Sequence, residues 1–260
     1  MRWREVWSIG QALGLGLGLA SFAACGACSS HQAPPADAAA AFACINPPLA
    51  ASGLGTYDDA AGVGNCSFDP SPGDRLVAAL DGPDYAHAAW CGACLAVAGP
   101  LGEVVVRIVD RCSGCKHGDL DLSREAFTRI APLSAGRVAI TWHEVACPVA
   151  GPISYQLKAG SSSGWIGFQV RNHRYAIARL EARGPGGSYQ AIPRTDDNYF
   201  VADHGLGAGP FTLRVTDVHG HVLEDAAIAL GAHVTRAGGA QLGSCPASAA
   251  APGASRAQRP

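Results

Sequence analysis

The stretch DRCSGCKHGDLDLS, residues 110–123, decides how the rest of the chain is read. It follows a strand-like run at 103–109 and precedes a helix-like run at 124–130, so it reads as a loop held between two packed elements. Loops held in this way are a common seat of function. The stretch gathers Asp110, Asp119, Asp121, His117 and a Cys-x-x-Cys, and Asp110 and Asp121 stand at element junctions where the backbone fixes their direction. Asp119 and His117 read as solvent-exposed. A His and two Asp could ligate a metal, but only their proximity speaks for it, and neither a metal nor a cofactor is expected.

Around this stretch, short strands are predicted at 53–57, 75–80, 94–98, 103–110 and 137–145. In the last, Val138, Ile140, Trp142 and Glu144 alternate with Ala139, Thr141, His143 and Val145, leaving one largely apolar face as a half-buried strand requires. The one convincing helix starts after Ser123, a good N-cap, with Glu125 in the first turn where the helix dipole favours an anion. Its Ala126, Phe127 and Ile130 share one face. A short helix among strands predicts a small closed β-barrel over residues 44–147. Residues 148–152, PVAGP, form a linker. Beyond it, short β runs at 154–157, 165–170, 176–181, 199–201 and 211–215 recur with Gly, Pro and Asn-Asp punctuation, the pattern of an all-β sandwich, here over 153–233.

Of the 260 residues, 48% are apolar and 15% charged, which describes a globular chain with room for two domains. The net charge of −2 carries no basic footprint, which excludes nucleic acid as the expected partner. At the N-terminus, Arg2 and Arg4 lead into an apolar run, and Phe22-Ala23-Ala24 precedes Cys25. This predicts a lipoprotein-type signal at 1–24 with Cys25 as a lipid anchor; the other reading is an ordinary signal peptide or single membrane anchor. Residues 25–43 read as a flexible tether and 246–260 as a disordered tail. Either leader implies export, to the outer cell surface or beyond it.

Export governs the cysteines. Cys91-x-x-Cys94 and Cys112-x-x-Cys115 would suggest a zinc ribbon in a cytosolic chain, whereas in an oxidising compartment disulfides are the expected use. Apart from Cys25 and Cys28, the cysteines are 44, 66, 91, 94, 112, 115, 147 and 245, an even number consistent with four bridges.

The ordered series Gly53-x-x-Thr56-Tyr57, Cys91-Gly-Ala-Cys94, Asp110-Arg-Cys-x-x-Cys115, Asp119-Leu-Asp121-Leu-Ser123, Val145-Ala-Cys147-Pro and Gly164-Trp165-x-x-Phe168-Gln-Val-Arg-Asn172-His-x-Tyr175 resembles a bacterial expansin over residues 53–233. The Phe-Gln-Val-Arg-Asn-His stretch is the most specific part. The resemblance implies a six-stranded double-psi β-barrel followed by an immunoglobulin-like carbohydrate-binding domain, with a polysaccharide groove across both. It also implies loosening of cell-wall networks without hydrolysis. It assigns Thr56, Asp110 and Asp121 to the polar groove, with Asp121 where related family-45 glycoside hydrolases keep their general acid. By the same analogy the disulfides are Cys66–Cys91, Cys94–Cys147 and Cys112–Cys115, leaving Cys44–Cys245.

Glycoside hydrolysis needs two carboxylates, one protonated and one ionised. In the related hydrolases the base lies just after the first strand, where this chain has Asp58 and Asp59; they are either a catalytic partner for Asp121 or part of a solvated turn. Expansins stack a glucan on a row of three aromatic rings in the second domain. Here Trp165 matches the second ring, Gly164 stands at the first position and Asp197 at the third, and Tyr199, two residues on, is the candidate replacement. Lys158 matches a basic residue beside that platform. The expected function is non-enzymatic binding and loosening of plant or microbial wall polysaccharide by a monomer. The rivals are a glycoside hydrolase or lytic transglycosylase using Asp121 with Asp58, and a surface-anchored adhesion module.

Overall fold

A computed structural model describes residues 44, 49–71 and 73–245. The leader at 1–24, Cys25, the tether and the 246–260 tail lie outside the described residues.

The first six strands are β1 (Ala50–Asp58), β2 (Val77–Asp81), β3 (Cys94–Gly99), β4 (Gly102–Cys112), β5 (Leu120–Ser123) and β6 (Val138–Val145). They close into a barrel in the order β1-β5-β2-β4-β3-β6. Two pairings, β1 with β5 and β2 with β4, are parallel. A parallel pair needs a long crossover, which explains why strands distant in sequence lie side by side. The barrel is filled from both ends, with Leu80, Ile108, Leu120, Leu122 and Trp142 all buried. A short helix α1 (Gly82–Tyr85) follows β2, and α2 (Arg124–Ile130) packs Ala126, Phe127 and Ile130 onto the barrel. Ser123 caps α2 by accepting from the Ala126 amide at 3.1 Å.

The 110–123 stretch departs from its reading as one loop. Its first residues finish β4 and its last form β5, so only residues 113–119 are loop. Leu120 and Leu122 face the core, but a four-residue strand is too short to show alternation by sequence alone. The remaining loop is pinned. Trp142 Nε1 donates to the Gly118 carbonyl at 2.8 Å, and Gly118 (φ +84°) passes so close to β1 that a Cβ would sit 2.3 Å from the Ser52 oxygen. Only glycine meets both demands.

Beyond residue 153 the chain forms a sandwich of two antiparallel sheets. Strands β9 (Ile177–Arg183), β10 (Gln190–Ile192), β12 (Phe211–Asp217) and β13 (Val222–Ile228) pair in the order β10-β9-β12-β13. Strands β7 (Ser154–Leu157), β8 (Ile166–Arg171), β11 (Phe200–Ala202) and β14 (Val234–Ala237) pair in the order β11-β8-β7-β14. Tyr155, Phe168, Leu180, Phe211 and Leu213 fill the space between them. The sandwich runs past the expected end at residue 233, because β14 completes its sheet by pairing with β7.

Four disulfides join Cys44–Cys245, Cys66–Cys91, Cys94–Cys147 and Cys112–Cys115. No helix among the described residues is long and apolar enough to cross a membrane.

The barrel and the sandwich meet along a seam built largely by the Phe-Gln-Val-Arg-Asn-His stretch. Gln169 Nε2 donates to the Cys66 carbonyl at 2.8 Å, and Arg171 pairs with Asp69 at 2.6 Å. Asn172 Nδ2 donates to the carbonyls of Ala150 (2.8 Å) and Pro152 (2.7 Å), which fixes the linker itself. A second set of contacts places Glu144 Oε2 3.1 Å from His219 Nε2, both buried, where Tyr175 packs edge-on to His219 at 4.5 Å. Burial pushes the Glu144 carboxyl up, against the pull of His219. Glu144 thus continues the inward face of β6 as a polar seam residue.

Candidate functional site

Parallel pairing of β1 and β5 sets Thr56 opposite Asp121. The Thr56 hydroxyl donates to Asp121 Oδ1 at 2.6 Å, so that carboxylate is oriented at the barrel rim. Asp58 follows on the same side of β1, since alternate residues of a strand share a face. Its pKa is raised, first by burial and then by the charge of Asp121, with Asp110 adding to it. Asp59 points elsewhere: Arg124 donates to its carboxylate at 2.9 Å and rests on the Tyr57 ring, 5.0 Å from its centroid. That partner lowers the Asp59 pKa. The two neighbouring acids are therefore separated, with Asp58 electrostatically coupled to Asp121 and Asp59 engaged outside.

Asp110, in β4, accepts from the Asn65 amide at 2.6 Å and the Arg111 amide at 2.7 Å through Oδ1. Asp119 corrects its reading as a solvated residue: it accepts from Leu54 N at 2.8 Å and Lys116 N at 3.2 Å, and so closes the loop onto β1. His117 remains 70% exposed on its side chain and lies 2.9 Å from Asp84. Beneath it, the Gly118 amide donates to both Asp81 and Asp84 at 3.1 Å. Burial raises the Asp81 pKa to about 6, helped by a hydrogen bond with the Asp84 carboxyl. Asp81, Asp84 and His117 are the residues here with ligand atoms within 4.8 Å of one another, a donor set of the kind that could hold a metal. Backbone amides already engage both carboxylates: the Asp84 and Gly118 amides donate to Asp81, and the Gly118 amide to Asp84.

Across the seam, Asn65 is the link that single-residue reading missed. Its amide holds Asp110, while its side chain donates to Tyr85 Oη (2.9 Å) and to the Asp196 carbonyl (2.8 Å) in the sandwich. Tyr85 donates to the same carbonyl at 2.8 Å. Next to Asp196, Asp197 pairs with Lys158 and accepts from Thr195. Lys158 and Thr195 hold the Asp197 pKa down against its burial. Lys158 also covers the Tyr199 ring, 4.4 Å from its centroid, and Tyr199 is only 8% exposed. Tyr199 therefore does not serve as the open platform expected of it: one face is capped and the ring is packed inward. Trp165 is half-buried, with exposed Gly164 beside it. Asn65, Tyr85 and Asp196 carried no motif; each acts through polar contacts to residues distant in sequence.

A family model described as "Lytic transglycolase" matches residues 81–142. Expansin-YoaJ of Bacillus subtilis is 33% identical over 193 residues, 70% of this chain and 82% of that protein. Expansin-like protein 2 of Dictyostelium discoideum is 29% identical over 74% of this chain and 48% of its own length. Among solved structures, an apo expansin of Clavibacter michiganensis superposes with a TM-score of 0.69 at 33% identity, covering 74% of this chain and 98% of that one. A mutant of a Clavibacter michiganensis expansin in complex with cellohexaose gives the same TM-score at 32% identity.

Proposed function

The chain belongs to the expansin family, and from that premise we propose that it binds cell-wall polysaccharide and loosens it without cutting it. The observation that supports this reading is the set of polar groups on both modules, Thr56 with Asp121 on the barrel, and Asp110 held by Asn65, whose side chain reaches the Asp196 carbonyl of the sandwich, beside the Asp197–Lys158 pair. Such a set suits an extended chain of sugars crossing both modules. Carboxylates and the Thr–Asp pair accept and donate to sugar hydroxyls, replacing hydrogen bonds between neighbouring glucans. Trp165 offers an aromatic face to sugar C–H bonds. Each contact is individually modest, so the protein competes with interchain contacts without holding one glucan permanently.

With Gly164 and Asp197 at two of the three platform positions, the sandwich relies on one ring, and binding to crystalline cellulose is weak. We place the protein at the outer surface of the exporting cell, as a monomer tethered through Cys25 if the leader is of the lipoprotein kind, and acting on plant or microbial wall polymers.

One observation favours a second reading. Asp58, with its raised pKa beside Asp121, supplies the second carboxyl that a glycosidase or lytic transglycosylase needs. Creep and reducing-end release measured on the same wall sample separate the readings. Wall loosening without new reducing ends, lost in Asp121→Asn, is the expected result. Reducing ends that vanish in both Asp121→Asn and Asp58→Asn establish the enzyme instead, and a wall sample that neither creeps nor releases sugar leaves an adhesion module.

A further inference from the structure

On the barrel–sandwich seam, between the loop before β2, strand β4 and the linker, lies a cavity of about 580 Å³, lined by Phe68, Asp69, Asp74, Val105 and His173 among others. Its size falls within the roughly 300–1,000 Å³ typical of small-molecule sites. None of the groove residues lines it.

The polar inventory of the cavity is lopsided. Arg107 donates to Asp74 Oδ2 at 3.1 Å and Arg171 to Asp69 Oδ2 at 2.6 Å, so each guanidinium is engaged by one carboxylate oxygen. Among the described residues, Oδ1 of each aspartate has no donor. At the floor, His173 is 2% exposed, and its Nδ1 donates to the Tyr175 carbonyl at 2.7 Å. That bond fixes the tautomer and leaves Nε2 as a bare acceptor. Burial depresses the His173 pKa to about 4, so the ring is neutral at ordinary pH. Gly92 keeps the space in front of Nε2 open, since a Cβ there would stand 2.7 Å from it. Asp69 and Asp74, whose side chains are 69% and 52% exposed, and buried His173 therefore bring acceptors to a space lined also by Arg107, Arg171 and Asn172 and by the apolar Leu76, Val105 and Val149.

We propose that this cavity is a second sugar site, taking one neutral pyranose unit whose hydroxyls donate to Asp69, Asp74 and His173 while its C–H face lies on the apolar wall. The choice of a sugar over other hydroxylated rings rests on the polysaccharide reading above; the preference for a neutral donor rests on the lining alone. A carboxylate guest would meet three acceptors and two neutralised arginines, and is excluded.

The test follows the His173 imidazole nitrogens by NMR in the oxidised, ¹⁵N-labelled protein during titration with methyl β-D-glucopyranoside, methyl β-D-xylopyranoside, glucuronate and glycerol. A saturable shift of Nε2 with at least one neutral glycoside, none with glucuronate or glycerol, and at least tenfold weaker binding in Val105→Trp is the expected result. Val105 is 37% exposed, so the substitution fills the mouth without entering either core. No shift with either glycoside, an equal shift with glucuronate or glycerol, or a shift unchanged in Val105→Trp overturns the proposal. Binding of the same variant to insoluble wall glucan, measured in parallel, reports on the groove alone, so failure of the cavity and failure of the groove are told apart.

Discussion

Gly164→Trp should strengthen cellulose binding. The position is exposed, and a Cβ built there meets nothing within 4 Å, so a large side chain can be added without displacing the fold. It stands beside Trp165, and with Tyr199 covered by Lys158 the proposed platform amounts to a single ring. If stacking on a sugar resembles stacking on a base, one added ring contributes about 1–3 kcal/mol. At about 1.4 kcal/mol per decade this is roughly a 5- to 140-fold lower Kd. Depletion isotherms on microcrystalline cellulose, at fixed salt and with circular dichroism confirming an unchanged fold, measure it directly. Trp165→Ala in the same assay should lose a comparable amount. A folded Gly164→Trp protein that binds no tighter, or a Trp165→Ala protein that binds as the parent does, refutes the one-ring account of this face.

Removing Cys94–Cys147, which closes 53 residues, should cost about 4 kcal/mol by chain entropy, against about 1.6 for Cys112–Cys115, which closes 3; urea midpoints of the two Cys→Ala pairs that fall in the opposite order contradict this. The Asp58 carboxyl carbon should titrate above the ordinary carboxylate range in NMR, and its midpoint should fall in Asp121→Asn; an unmoved midpoint means the two acids are not neighbours in effect. Glu144 has a raised pKa in the folded chain, so the folded state binds more proton and stability should fall as pH climbs from about 4.5 through the raised value. Glu144→Gln should flatten that decline in a stability–pH profile, and a slope that persists points to another group.

Much of the barrel was readable because its strands alternate over five or more residues, as Val138, Ile140 and Trp142 do, and α2 because Ser123 announces its start. The strand β5 was hidden inside a motif whose cysteines and glycines read as a loop; its identity comes from parallel pairing with β1, a contact made across 65 residues. Strand β13, VLEDAAI, mixes polar and small residues without a clear period and was not expected at all. In the site, residue types and element junctions pointed to Asp110 and Asp121, and the family resemblance added Thr56. The division of labour between Asp58 and Asp59 depends on which side of β1 each leaves, and Arg124 settles it from a different element. The Tyr199 ring was misjudged because strand parity places a side chain on a face but does not say what covers it. The Gly-Asp pair at 118–119, after a turn, was the available hint that Asp119 folds back on the backbone.

The linker offers a mechanical consequence. PVAGP would ordinarily be a joint, yet Asn172 clamps two of its carbonyls and Arg171 and Gln169 bolt the modules on the other side. A jointed molecule would relax when the glucan under one end shifted, bending and letting go. Here those bonds oppose bending at the middle, so under the proposed function a displacement at the barrel would be passed on to the sandwich.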